Sequence, residues 1–231
     1  MALPSVHPGY PPARPLVPRI PRPTPKRLHT QKAMTIAVGV LANGGVVLAA
    51  DTQLTIPSFW KGEGGKIMAT ARRKPPTGVL AVTGATNIYE YLHGLGDDLT
   101  RDFLLGLHDA NKEAAYERFG RVLRRFYRRH VAPITGEPPV VDVLMAYQRG
   151  DEIALWQSSR NLLIEQTEYG AVGIGSFAAN AWLGRMWRGR QDIPAAVVTA
   201  VFAAAVAKES VDGCGKFTHV LGGRGRALLA D

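Results

Sequence analysis

The chain has a single cysteine, Cys214, in 231 residues. One thiol excludes an internal disulfide framework and a cysteine-rich zinc site. The six histidines show no metal-ligand spacing, so no metal is expected. No run approaches the roughly 18 uninterrupted apolar residues that a membrane-spanning helix needs, and no membrane partner is expected. The glycines form no phosphate loop, because Gly62-Glu63-Gly64-Gly65 lacks the Gly-Lys-Ser/Thr ending. No cofactor is implied. Acidic residues are absent from positions 1–34, which hold Arg14, Arg19, Arg22, Lys26, Arg27 and Lys32. The net charge of +9 therefore divides into +6 there and +3 over 35–231. With two thirds of the excess in that stretch, nucleic-acid binding ranks last among the functional readings.

What the first stretch does have is proline: nine of the sixteen prolines lie between Pro4 and Pro25. Proline removes backbone donors and resists helix and sheet, and there is too little apolar mass here for a core. Residues 1–34 are read as a disordered basic tail, a removable pro-segment, or an extension upstream of a natural start at Met34. They form a poor secretory signal, since no apolar region leads to a small-residue cleavage site. A cytoplasmic location is the expectation. Residues 35–231 form one domain of ordinary size.

Within that domain, TIAVGVLA (35–42) and GVVLAADTQ (45–53) are strand-like runs around Asn43-Gly44, a strong hairpin signal. Further strands are predicted at 66–70 and 78–84. Helices are predicted from Thr86, as a cap, through Ile88, Tyr89 and Leu92, and over 110–131. Strands follow at 141–147, 152–158, 161–167 and 169–175, then helices at 176–188 and 194–209, with Pro194 in a favoured first-turn place. Strands at 217–222 and 226–230 close the chain. Strands and helices come in runs rather than in strict alternation, which argues against a doubly wound sheet. Two packed sheets with helix pairs outside satisfy the order.

The stretch TIAVGVLANGGVVLAADTQ, followed by KGEGGKIM and AVTGAT, resembles a proteasome β-type subunit, an N-terminal-nucleophile hydrolase of the bacterial proteasome-like group. The resemblance implies an α+β fold, the four-layer αββα sandwich. Aligned on Val38-Gly39 and Val47-Leu48-Ala49-Ala50-Asp51, it places the nucleophile on Thr35 and the aspartate on Asp51. The lysine falls on Lys66, one residue short of the usual interval. Gly84 matches the glycine that opens the first helix and lends its N–H to the oxyanion hole.

The chemistry explains these residue types. A threonine hydroxyl is a weak nucleophile and needs an adjacent base. A free α-amine, with a reference pKa of about 8, can take that proton near neutrality. An ammonium on Lys66 would lower the amine's pKa, and Asp51 would orient Lys66. All of this requires Thr35 to be the first residue, as removal of Met34 would make it. The expected activity is a threonine endopeptidase acting on peptides or unfolded proteins inside a homo-oligomeric ring, with a regulatory ATPase left open as partner. A non-catalytic ring subunit and an amidase for small amides are the alternatives.

The chain also departs from that pattern. Ile174 stands where a Gly-Ser-Gly turn would carry serine, and Ser176 is expected to serve as a helix cap. Glu209 and Asp212 take the places of an aspartate and a serine. Cys214 is expected to be an incidental thiol. Arg118, Arg121, Arg124, Arg125, Arg128 and Arg129 give the second helix a basic stripe, read as a solvated or subunit-contacting face.

Overall fold

A computed structural model describes residues 35–56, 60–71, 79–86, 89–104, 110–135, 138–212 and 214–223. The tail at 1–34 and the strand expected at 226–230 lie outside the described residues. Within them the chain is a β-rich α+β fold of antiparallel sheets and helices. One sheet has four strands: β1 (Ile36–Ala42), β2 (Gly45–Asp51), β10 (Tyr169–Gly173) and β11 (Thr218–Gly223), in the order β10-β1-β2-β11. A second has five: β5 (Met68–Ala71), β6 (Val79–Thr86), β7 (Val141–Arg149), β8 (Glu152–Ser159) and β9 (Leu162–Gln166), in sequence order. A short hairpin pairs β3 (Gln53–Ile56) with β4 (Trp60–Glu63).

The period of two along the strands decides what each side chain packs against. In β1, Ile36, Val38, Val40 and Ala42 face helices α3 (Ser176–Met186) and α4 (Ile193–Ser210), whereas Ala37 and Leu41 meet the second sheet. In β7, Val143, Met145 and Tyr147 face helix α2 (Lys112–Phe126), and Leu144 and Ala146 turn back toward β1 and β2. Buried on both sides, β1 and β2 are apolar at nearly every position. Gly39 is needed at the sheet–sheet contact: a Cβ there would come within 2.7 Å of the Leu155 side chain. Helix α4 is long and apolar enough to cross a membrane by length and composition. Here an alanine stripe (Ala196, Ala200, Ala203, Ala207) packs it onto the four-stranded sheet.

Several expectations need correction. The first helix, α1, spans Tyr89–Leu104, and Thr86 is not its cap: Thr86 ends β6, opposite Val141. The run read as one strand to Gln53 breaks after Asp51, and Gln53 opens the β3–β4 hairpin. Four-residue strands are too short to show a period. Helix α2 starts one residue beyond Asn111, whose side chain caps the Ala114 N–H at 2.9 Å. Its last turn widens into a π turn, Tyr127–Val131.

Candidate active site

Asp51 is the last residue of β2, and antiparallel pairing sets it beside the start of β1. Its carboxylate is fully buried. Oδ1 accepts the Ile36 N–H at 3.1 Å and the Thr35 hydroxyl, while Oδ2 accepts the Gly215 N–H at 3.2 Å. Lys66 completes the group. It donates to Asp51 Oδ1 at 2.7 Å and to Thr35 Oγ1. Thr35 and Lys66 are buried as well.

The surroundings explain how the lysine arrives. Lys66 does not lie on a strand, as expected, but two residues ahead of β5. The Gly64 N–H donates to the Thr52 carbonyl at 3.0 Å, which ties the approach to the end of β2. The Thr52 N–H in turn donates to Phe217 at 3.0 Å, next to β11. Burial holds the Lys66 ammonium below the ordinary lysine range, and Asp51 opposes that shift. A lysine so placed gives up a proton more readily than a surface one, and it touches the threonine hydroxyl directly.

The structure thus brings together three of the four residues singled out from sequence. Gly84, the fourth, lies inside β6 opposite Val143, five residues ahead of α1 rather than at its opening. No hydrogen bond among the described residues joins Gly84 to Thr35. Glu209 and Asp212 are exposed, and among the described residues the acid hydrogen-bonded to Thr35 is Asp51. Ser176 is the first residue of α3, and the cap position is Gly175, without a side-chain hydrogen bond.

Two contributors escaped the sequence reading. The Gly175 N–H donates to the Thr35 carbonyl at 3.4 Å, and the Gly215 N–H holds Asp51. Cys214 is buried beside Gly175, and burial pushes its thiol up to about 12. Such a thiol stays protonated and inert, a packing group rather than a nucleophile. No local pattern marks Gly175 and Gly215 for these contacts. Among the described residues no cluster of histidine, cysteine, aspartate or glutamate could hold a metal ion.

No protein-family profile matches the chain, and no curated protein does. Solved structures do. Anbu (ancestral beta-subunit) from Yersinia bercovieri superposes with a TM-score of 0.67 at 17% identity, covering 81% of each chain. Anbu from Hyphomicrobium sp. strain MC1 gives 0.67 at 17% identity over 84% of each. The helical assembly of the Anbu complex from Pseudomonas aeruginosa gives 0.69 at 15% over 85%. At this identity the likeness is one of fold. It corrects the expectation of a proteasome β-type subunit: these neighbours are Anbu proteins. The expectation rested on the spacing of Thr35, Asp51 and Lys66, and that spacing does not single out one subunit type.

Proposed function

We propose that the chain is an N-terminal-nucleophile amide hydrolase that uses Thr35 as its nucleophile and cleaves peptide bonds. The observation that supports this is the buried convergence of Lys66 and Asp51 on one hydroxyl, Thr35 Oγ1. An inert threonine at the start of a strand has no need of two buried charges.

In the proposed reaction the chain begins at Thr35, so that its α-amine is free. The hydroxyl proton passes to that amine while Oγ1 bonds to the carbonyl carbon of the substrate amide. Lys66 stabilises the negative charge gathering on Oγ1, and Asp51 keeps the lysine in place. As the C–N bond breaks, the amine returns the proton to the departing nitrogen, leaving an ester on Thr35. Water then cleaves the ester and regenerates the hydroxyl. The packing of α1 and α2 on one sheet and of α3 and α4 on the other supports a four-layer αββα reading of the domain. The chain is proposed to assemble from identical copies, a reading that the helical assembly of the Anbu complex from Pseudomonas aeruginosa supports. Enclosure would restrict access to peptides and unfolded chains.

A β-lactone probe with mass spectrometry tests the proposal. A chain that starts at Thr35 is expected to gain the probe's mass at Thr35, and a Thr35→Ala chain is expected to gain none. Labelling of both chains, or of neither while the parent turns over peptides, would overturn it.

A further inference from the structure

On the outer side of the five-stranded sheet, away from Thr35, the end of α2 meets the β8–β9 turn over a cavity of about 930 Å³. Three elements line it. Arg124, Arg128 and Val131 come from α2 and its π turn, Arg160 from the β8–β9 turn, and Ile134 and Val140 from the connection to β7. Ile134 and Val140 are 38% and 43% exposed, an apolar floor open to solvent.

The charges are what make this more than an apolar hollow. Of the arginines on α2, Arg125 is paired, with Asp98 and Asp102 on α1. Arg124, Arg128 and Arg160 have neither an ion pair nor a side-chain hydrogen bond among the described residues. The helix dipole accounts for cations at the end of α2, but Arg160 belongs to another element. It also sits at φ 55°, a left-handed conformation that favours glycine or asparagine, so a turn residue without charge would cost less there. Among the described residues of the lining the acid is Asp142, whose carboxyl burial holds above the usual range. The Tyr127 hydroxyl is tied to the Val141 carbonyl at 2.6 Å and serves as wall.

We propose that this groove docks a short segment of a partner protein that combines aliphatic side chains with carboxylates. Aliphatic groups would cover Ile134 and Val140, and carboxylates would pair with Arg124, Arg128 and Arg160, an arrangement in which the guanidinium fork gives direction as well as charge. The volume is at the upper end for ligand sites and holds a few residues of peptide. A nucleic acid fits less well: the floor is aliphatic and offers bases no aromatic platform beyond the tethered Tyr127. The inference is independent of the hydrolytic reading.

The test uses the full chain carrying Thr35→Ala, so that no peptide is consumed. A library of random octapeptides is selected against it, and winners are measured by fluorescence anisotropy. Selected peptides are expected to combine Asp or Glu with Leu, Ile or Val and to bind less tightly as salt is added. Arg124→Ala/Arg128→Ala/Arg160→Gly should weaken them by about tenfold or more, with glycine relieving the left-handed backbone. Ile134→Ser/Val140→Ser, which keeps every charge, should also weaken them. No selection at all, winners without acids, equal binding by the arginine variant, or tighter binding of a single-stranded oligonucleotide would each overturn the proposal.

Discussion

The Lys66 ammonium lies 2.7 Å from Asp51 Oδ1, with side-chain exposures of 5% and 0%. Removing one member of a buried pair strands the other, at a cost of about 3–5 kcal/mol. Lys66→Met is therefore expected to lower unfolding free energy by that order in a urea titration. Lys66→Met combined with Asp51→Asn should recover much of the loss, because no charge is left unpaired. Both variants should lose peptide hydrolysis. A single variant as stable as the parent would show that the pair does not act as one unit.

The hydroxyl itself is tested by substitution. Thr35→Ala should abolish peptide hydrolysis with the circular dichroism spectrum unchanged, whereas Thr35→Ser keeps an Oγ and should retain measurable activity. A chain that retains Met34, checked by intact mass, should be slower than one starting at Thr35 by about a hundredfold or more, the typical contribution of a positioned base. Equal rates would rule out the α-amine as that base.

Gly175 is expected to resist enlargement. A Cβ there would lie 2.9 Å from the Ala207 Cβ and 3.1 Å from both Cys214 Sγ and the Ile36 Cβ. None of these neighbours is the end of a long flexible side chain, so Gly175→Ala should cost about 1–3 kcal/mol of stability. It should also displace the Thr35 carbonyl from the Gly175 N–H, and slower hydrolysis by the folded fraction would report that displacement.

Two tyrosines, Tyr147 buried and Tyr127 half-buried, set an alkaline limit. Burial pushes both Tyr127 and Tyr147 from 10.0 to about 12. Between these values the unfolded chain releases protons that the folded chain keeps, so stability present below pH 10 is lost as the pH rises toward 12. Urea midpoints should fall across that window. Tyr147→Phe should flatten the fall, and an unchanged slope would contradict the assignment.

Much of the fold was legible because β1, β2, β7 and β8 carry near-continuous apolar runs bounded by turn residues, α2 carries a helical pattern, and Pro194 stands in the first turn of α4. The Asn43-Gly44 hairpin is found as expected, with Gly44 at φ 81°. Thr35, Asp51 and Lys66 were legible because two lie at opposite ends of one hairpin and the third follows a glycine-rich approach. Gly175 and Gly215 were not, since their contacts with Thr35 and Asp51 come from pairings that local patterns do not encode. Glu209 and Asp212 misled for a related reason: a nearby acid in sequence says nothing of which way it points. The subunit type was over-read because it rested on a few matched residues, while the likeness to the Anbu structures at 15–17% identity is one of fold.

The bond from the Gly215 amide to Asp51 spans 164 positions, and β1 and β2 find their outer neighbours, β10 and β11, only in the last third of the chain. During synthesis the Thr35–Asp51 hairpin leaves the ribosome early, yet it waits, half-paired, for segments made much later. Long-range pairing of this kind folds slowly. The contacts that Gly175 and Gly215 make with Thr35 and Asp51 therefore close around the hairpin only after those late segments have been made.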